Sequence, residues 1–210
     1  MNLLTYSQQF DNSAWSKAGL LPITSGGGLL APDGSMTAYS LVPSTTSASH
    51  HLGQPVPTMQ QSTIYTDAVY VKPNGYDWCV VLQEGIDGFR RYAYFNVATG
   101  AIGNVVLNAT PSIVAAENGF YRCSISADTN TGSSNSFIHI VVASANGGDF
   151  FAGDGISGII VWGAQVNEGS GPEVYQKTLG TIINTPFVYS GITLKSSMPT
   201  GITLKSSIVN

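Results

Sequence analysis

Charged side chains are scarce in this chain of 210 residues. Lysine and arginine together number 8 and aspartate and glutamate 12, so charged residues make up 10% of the sequence and the net charge is -4. About 25% is usual for globular domains. A nucleic-acid-binding surface needs clustered cations to neutralise phosphates, whereas these cations are spread from Lys17 to Lys205. We therefore expect no nucleic-acid partner.

Long apolar runs and a targeting signal are missing as well. No run of about 18 apolar residues occurs, which predicts that no segment spans a membrane. The opening MNLLTYSQQFDNSAW has neither a basic start nor an apolar stretch before a cleavage site, so we expect no secretory signal. Intrinsic disorder is disfavoured, because 43% of the residues are apolar and 10% are aromatic.

The sequence has only two cysteines, and each lies in an apolar run. Cys79 lies in WCVVL and Cys123 in FYRCSI, which predicts two small buried side chains. A disulfide is possible if their strands are neighbours, but a protein that is not secreted gives no redox reason to expect one.

Helical periodicity is nearly absent, and strand patterns recur throughout the chain. Eight segments are rich in β-branched and aromatic residues and are separated by turn residues such as Gly, Asn and Asp. These candidate strands are residues 36–42, 62–72, 77–84, 89–97, 102–107, 119–127, 136–143 and 159–166. Short strands at this spacing predict an all-β fold, an antiparallel sandwich or barrel.

Two of these strands carry further information. In residues 120–126, Tyr121, Cys123 and Ile125 alternate with polar residues, which is typical of a half-solvated antiparallel sheet. The segment SFIHIVVA is apolar on both faces apart from His139. It predicts a central strand that is packed on both sides or covered by an oligomer partner.

The composition changes near Thr178. GITLKSSMPT at residues 191–200 and GITLKSSIVN at residues 201–210 form a repeat with a period of ten. We therefore divide the chain into a domain, residues 1–178, and an extended C-terminal arm, residues 179–210. The alternative is a frayed terminus. Apolar residues of the arm are the candidate assembly contacts: Phe187, Tyr189, Ile192, Leu194, Ile202 and Leu204.

Patterns that carry catalysis or metal binding are not found. Acids are few, and no pair stands out as the two carboxylates of a glycosidase. Asp149 and Asp154 flank the Gly-rich GGDFFAGDG, which favours turn roles over a calcium site. His50 and His51 are adjacent, so in a strand they point to opposite faces and cannot both bind one metal without a bulge. We expect no enzyme, no cofactor and no metal.

Aromatic residues supply the one candidate ligand site. Two adjacent predicted strands carry aromatic rings together with cations, which is the mixture that a sugar-binding or protein-binding sheet face uses. These candidate residues are Trp78, Arg90, Arg91, Tyr92 and Tyr94. The alternative is that the rings belong to the core and the arginines form an ordinary solvated pair.

Six segments, in this order, resemble one family. They are NLLTYSQQFDNSAWSKAG, APDGSMTAYSLV, STIYTDAVYVKP, YFNVATGAIG, ENGFYRCSIS and GDGISGIIVWGAQVNEGSGPEVYQKT. Together they are similar to the carbohydrate-binding-module-like jelly-roll domain of tailed-bacteriophage virion proteins, which include capsid decoration proteins, head fibres, tail fibres and spikes. The resemblance covers residues 2–178. It implies a jelly-roll β-sandwich, with Asn2 to Leu4 at the first strand, Trp162 in the core of the last and the Arg122 guanidinium across a neighbouring strand.

The resemblance and the arm together suggest a structural virion protein without enzymatic activity. The leading hypothesis is a capsid decoration, or cement, protein that binds the phage major capsid protein or another virion protein through its arm. Self-association as a homotrimer or homodimer is expected, with assembly on the virion in the host cytoplasm. The alternative is a receptor-binding module of a fibre or spike that recognises a host glycan.

Overall fold

The described part of the chain, residues 1–185 of the computed structural model, is all-β, as the sequence predicts. Its residues form twelve strands and one short 3-10 turn, Glu117–Gly119. The strands are β1 (Ser16–Ala18), β2 (Tyr39–Leu41), β3 (Ala48–Pro55), β4 (Ile64–Asn74), β5 (Trp78–Glu84), β6 (Arg90–Asn96), β7 (Ala101–Val106), β8 (Thr110–Ala115), β9 (Tyr121–Asp128), β10 (Phe137–Ala143), β11 (Phe150–Phe151) and β12 (Gly158–Glu168). No helix in this part of the chain is long and apolar enough to cross a membrane.

Two antiparallel sheets form a sandwich with the strand crossings of a jelly roll. The first sheet has the order β1-β3-β10-β5-β6-β7, with β11 paired to β3, and the second has the order β2-β12-β4-β9-β8. Strands that follow one another in sequence repeatedly change sheets, as β4 and β5 do, and every named strand pair is antiparallel. The confirmed fold class is thus an antiparallel β-sandwich.

The core lies between the two sheets and is built from the inward-facing residues of each strand. Its largest fully buried side chains include Phe10, Trp15, Leu41, Tyr65, Phe95 and Ile140. Cys79 in β5 and Cys123 in β9 are both fully buried and carry free thiols. They belong to opposite sheets. Burial raises the pKa of the Cys123 thiol, and the neighbouring Cys79 thiol raises it further.

All eight predicted strands are present, with ends that differ by a few residues. β10 lies between β3 and β5, so the prediction of a central strand at SFIHIVVA is confirmed. Four strands were not predicted: β1, β3, β8 and β11. β3 escaped because its sequence, ASHHLGQP, is polar, although His50 and Gln54 in it are 0% and 1% exposed.

One expectation about β9 is wrong. Cys123 and Ile125 face the core, but the polar positions between them are not solvated, because Ser124 and Ser126 are only 3% and 7% exposed. The Ser126 hydroxyl lies 2.7 Å from that of Thr66 on β4. A second apolar cluster, which includes residues of the 20–38 loop and of the segment after β12, covers part of this sheet's outer face.

The N-terminal segment pairs with the segment that follows β12. Asn2 forms a bridge with Ile183, and Tyr6 forms one with Leu179. The Gly180 amide donates to the Thr5 carbonyl at 2.7 Å. Residues 179–183, which the sequence analysis assigned to the arm, therefore lie against the domain. The repeat and the six candidate assembly residues lie outside the described residues.

Candidate functional site

The outer faces of the two sheets are built differently. On the five-stranded sheet, Tyr70, Trp162 and Tyr175 pack together beside a cleft of about 320 Å³. The polar atoms of two of these side chains are used inside the protein, since Trp162 Nε1 donates to Thr37 Oγ1 at 2.9 Å and the Tyr175 hydroxyl lies 2.8 Å from Ser7 Oγ. Trp162 is thus buried as expected, but on the outer side of its sheet, where the aromatic side chains serve packing.

The seven-stranded sheet carries a second aromatic surface on the side away from the core. Its residues come from three adjacent strands and form a cluster separate from the core. We call this cluster the outer aromatic face; it consists of Trp78, Val80, Leu82, Tyr92, Tyr94, Val141 and Ala143. Val80 and Tyr94 form a buried floor at 2% and 4% exposure, whereas Trp78, Leu82 and Tyr92 are half-buried and present part of their surface to solvent.

Strand register explains why these residues meet. Val80 lies directly opposite Tyr94 on β6 and opposite Val141 on β10, and Leu82 lies opposite Tyr92. Directly opposed positions share a sheet face, so period-two alternation on three strands gathers the apolar side chains into one surface.

A glycine makes room for the Trp78 ring at the far end of the outer aromatic face. A Cβ added at Gly103 on β7 would lie 2.7 Å from Trp78 Cζ3 and 2.4 Å from Asn146 Oδ1. Asn146 belongs to the loop between β10 and β11, and its Oδ1 accepts a hydrogen bond from the Asn104 amide at 2.8 Å. The glycine therefore lets both the indole and this loop approach the sheet closely.

Polar side chains line the opposite part of the outer aromatic face. They surround Leu82 and Val141 and enclose a shallow pocket of about 70 Å³; the polar lining residues are Ser49, His51, Arg90, His139 and Asp149. Asp149 Oδ1 accepts a hydrogen bond from the Tyr94 hydroxyl at 2.6 Å. Arg90 Nε donates to Glu84 Oε2 at 2.9 Å. The surface thus combines aromatic rings with fixed hydrogen-bonding groups.

The pKa values of both histidines of this pocket are lowered, which disfavours their charged forms. Burial lowers the pKa of His139 to about 4, with His51 and Arg90 lowering it further against an opposing effect of Glu84. The pKa of His51 is lowered as well, mainly by burial and to a smaller extent by Arg90 and His50. A neutral imidazole has one N–H donor and one acceptor nitrogen. His139 Nε2 is buried and has no hydrogen-bond partner within the described residues.

Four of the five predicted ligand-binding residues project on the same side of the sheet. Trp78, Tyr92 and Tyr94 belong to the outer aromatic face, and Arg90 lines the adjoining pocket. Arg91 does not join them, because alternation along β6 turns it to the other side of the sheet. There it is 5% exposed and pairs with Asp87, so the expected arginine pair is split between two surroundings.

Several residues of the site were missed by the sequence analysis. Leu82, His51, His139 and Asp149 line the surface but were interpreted as strand, core or turn residues. His139 carries the one detectable signal, since it interrupts an otherwise apolar strand. Asp149 gave none, because its loop position is set by the packing of residues 144–149 against the sheet.

The other polar candidates have structural roles. His50 faces inward, with Nδ1 2.5 Å from the Gly19 carbonyl oxygen and Nε2 2.8 Å from the Phe151 carbonyl oxygen. His51 faces outward. Asp154 accepts hydrogen bonds from the amides of Ile156 and Ser157 at 2.8 and 2.7 Å, as a turn residue does. Residues 1–185 contain no group of three His, Cys, Asp or Glu side chains placed to hold a metal ion.

No protein-family model matches the chain, and no curated protein matches it. Among solved structures, it is similar to the enzymatically active domain of tailspike protein 4 of bacteriophage CBA120, with 16% identity and a TM-score of 0.49. That alignment covers 80% of this chain and 21% of the tailspike chain, so the chain spans about a fifth of that protein.

Two further similar structures contain CBM22-1 modules. The CBM22-1 xylan-binding domain of Xyn10C from Paenibacillus barcinonensis is 13% identical with a TM-score of 0.47, over 82% of this chain and 97% of that one. The CBM22-1–GH10 modules of xylanase 10B from Clostridium thermocellum are 18% identical with a TM-score of 0.39, over 85% of this chain and 30% of that one. Because these values are low, the fold is assigned from the chain's own strand topology.

Proposed function

We propose that this chain is a non-catalytic carbohydrate-binding module that holds an oligosaccharide on its outer aromatic face. The observation that carries the proposal is the composition of this surface, where half-buried Trp78 and Tyr92 adjoin fixed polar groups. Aromatic rings offer flat apolar area for the C–H faces of sugar rings at little cost in conformational entropy. The neighbouring amide, imidazole and carboxylate groups can bond the hydroxyls.

The size and charge of the surface favour a neutral chain of several sugar rings. Together with the adjoining pocket, this surface extends over four neighbouring strands in the order β3, β10, β5 and β6. Its width is about 14 Å at about 4.8 Å between strands. Arg90 is paired with Glu84, and the lowered pKa values of His51 and His139 disfavour their charged forms. A strongly anionic polysaccharide would find no unpaired cation in the pocket.

The carboxylates of this surface support binding without hydrolysis. Glu84 is engaged by Arg90, and Asp149 by the Tyr94 hydroxyl. Glycoside hydrolysis needs a carboxylic acid and a carboxylate that flank the bond that is cleaved. In the described face, each of these two groups is instead bonded to a neighbouring side chain of the surface.

Binding to a glycan array tests the proposal. Full-length protein should bind bacterial surface polysaccharides or plant β-glycans on the array, and Tyr92→Ala should weaken the tightest interaction at least tenfold, or about 1.4 kcal/mol. Ile156→Ala removes an 80% exposed side chain elsewhere and should leave binding unchanged. Equal binding by wild type and Tyr92→Ala would contradict the assignment of the site.

The virion setting is the finer part of the proposal. The resemblance of six segments, in order, to phage virion jelly rolls supports this setting. The GITLKSS repeat supports an assembly role in addition to glycan binding. That role is the one of a capsid decoration protein, which would form homotrimers or homodimers and bind the major capsid protein. Deleting residues 191–210 should then lower the number of copies on purified virions. An unchanged copy number would contradict the assembly role and leave the glycan site untouched.

A further inference from the structure

A cleft of about 310 Å³ opens at one end of the sandwich, apart from the outer aromatic face. It lies between the tip of the β5–β6 hairpin, the turn from β7 to β8 and the end of β9. We call it the end cleft; its lining residues are Phe89, Arg91, Leu107, Asn108, Asp128 and Asn130. None of them lines the pocket beside the outer aromatic face.

Two apolar side chains of the end cleft are exposed although folding gains little from them there. Phe89 is 60% exposed and Leu107 is 51% exposed. Leu107 also has a φ of 52°, and Asn108 after it has a φ of 56°. Two successive left-handed residues are the arrangement of a type I′ turn, which favours Asn and Gly. Leucine is unfavourable at such a position, because its Cβ approaches a carbonyl oxygen.

A strained residue that exposes an apolar side chain in the wall of a cleft indicates a function. If only the turn mattered, Asn or Gly would serve better than Leu107. The side chain faces the same cleft as Phe89, so the two together offer an apolar surface to a ligand.

A buried ion pair fixes the tip of the hairpin that carries Phe89. Arg91 and Asp87 are paired, with side chains only 6% and 7% exposed. Asp87 Oδ1 accepts a hydrogen bond from the backbone N–H of Phe89 at 3.1 Å, and Asp87 Oδ2 accepts one from Asn130 Nδ2 at 2.9 Å. The cleft wall from β6 is thus tied to the wall after β9, and the site is formed before any ligand arrives.

The remaining lining groups define the ligand chemistry. Asn108 and Asn130 supply side-chain amides, and Asp128 supplies a carboxylate. Asp128 Oδ1 accepts a hydrogen bond from the backbone N–H of Asn130 at 2.7 Å. The Arg91 charge is neutralised by Asp87, so Asp128 leaves the edge acidic and disfavours anionic ligands. An apolar wall opposite amides and a carboxylate suits a neutral pyranose ring, and the volume lies at the lower end of small-ligand pockets.

We propose that the end cleft is a second saccharide-binding site, which takes a neutral pyranose ring at the end of an oligosaccharide. The C–H face of the ring lies on Phe89 and Leu107, and its hydroxyls bond Asn108, Asn130 and Asp128. The open sheet surface of the outer aromatic face holds internal chain segments, whereas the end cleft, bounded by three loops, holds a terminus. The proposal does not depend on the outer aromatic face binding glycan.

Amide-resolved NMR titration of the full-length protein tests this site. The probes are the methyl β-pyranosides of glucose, galactose, mannose and xylose, each raised to 100 mM. With at least one probe, the amides of Phe89, Leu107 and Asn108 should shift along a saturable curve. Phe89→Ala should weaken this binding at least tenfold, and its exposure means that the fold should survive.

Leu107→Asn separates a binding role from a structural one. It removes the leucine part of the apolar wall and places a residue that tolerates positive φ in the turn. Binding should therefore weaken at least fivefold, while the melting temperature does not fall. Tyr92→Ala should leave the end-cleft shifts unchanged. The proposal is overturned if no probe shifts the cleft amides up to 100 mM, if the shifts survive Phe89→Ala, or if Tyr92→Ala abolishes them.

Discussion

Asp67 is a carboxyl group placed entirely inside the core. It lies on β4 opposite Ile125 and Val166, and it is fully buried. Gln83 Nε2 donates to its Oδ1 at 3.4 Å, while Asp67 Oδ2 and Gln83 Oε1 have no hydrogen-bond partner among the described residues. A protonated Asp67 would join these two atoms by a second hydrogen bond. Burial raises the pKa of Asp67 well above its usual value, against a smaller opposing effect of Gln83.

Replacing Asp67 by asparagine should therefore change how stability depends on pH. The folded-state pKa lies above the unfolded value, so the carboxyl group stabilises fully below about pH 4, and this contribution is lost as pH rises toward the folded pKa. Across that window, Asp67→Asn should gain about 1.4 kcal/mol per pH unit relative to wild type. Urea denaturation from pH 4 to pH 8 measures the difference.

Asp77→Asn is the matched control for this series, because it makes the same change at an exposed carboxyl group. Its stability difference from wild type should stay nearly constant over the same range. A constant difference for Asp67→Asn as well would contradict the acid–amide pair.

At the scale of single residues, the sequence predicted that Trp78, Tyr92 and Tyr94 of two neighbouring strands form one face, but not which polar groups they meet. It also placed Arg91 on that face, which two-residue alternation along β6 contradicts. The partner of Asp67 lies on the opposite sheet, and no local pattern relates β4 to β5 across the core. Contacts of this kind depend on sheet packing, which a single sequence does not encode locally.

The predicted strands are those in which apolar residues carried the signal, whereas β3 was missed because polar side chains hold it through hydrogen bonds. β3 is held by the buried and bonded side chains of His50 and Gln54, so its polar sequence resembles that of a loop. The register in which β12 pairs with β4 shifts between Trp162 and Gln165, and Gly163 within this shift has a φ of 59°. This bulge reverses which positions face the core, and it places Ala164 and Val166 inward.

The N-terminal segment depends on one buried side chain. Asn2 Nδ2 donates to the carbonyls of Gln176 and Ala164 at 2.7 and 3.2 Å, and its Oδ1 accepts the amides of Leu4 and Val166, each at 3.2 Å. Asn2 is fully buried, so all four of these side-chain hydrogen bonds are shielded from solvent. The side chain therefore links the start of the chain to β12 and to the segment after it.

Asn2→Ala should destabilise the protein by about 2–4 kcal/mol, because it leaves several buried backbone groups without partners. Chemical denaturation measures the loss, and limited proteolysis should cut the N-terminal segment sooner. Asn184→Ala, at an exposed position of the paired C-terminal segment, should change stability by less than about 0.5 kcal/mol. A similarly small effect for Asn2→Ala would show that the linkage does not stabilise the fold.

On the scale of the whole molecule, three clusters hold most of the aromatic residues that the structure describes. One set fills the core, a second is packed beneath the 20–38 loop, and the third remains half-buried on the outer aromatic face. The scarcity of charge fits this arrangement, because the polar groups of the third surface are mostly uncharged or paired with a neighbour. Such a surface favours neutral sugars over ionic partners.

Tryptophan fluorescence during glycan titration tests the central claim most directly. Of the three tryptophans, Trp15 and Trp162 are 1% and 4% exposed, whereas Trp78 is half-buried on the outer aromatic face. Adding the tightest glycan from the array should change the emission, and Trp78→Phe should abolish the change while Trp162→Phe retains it. Binding that leaves the emission unchanged, or a change that survives Trp78→Phe, would contradict the location of the site.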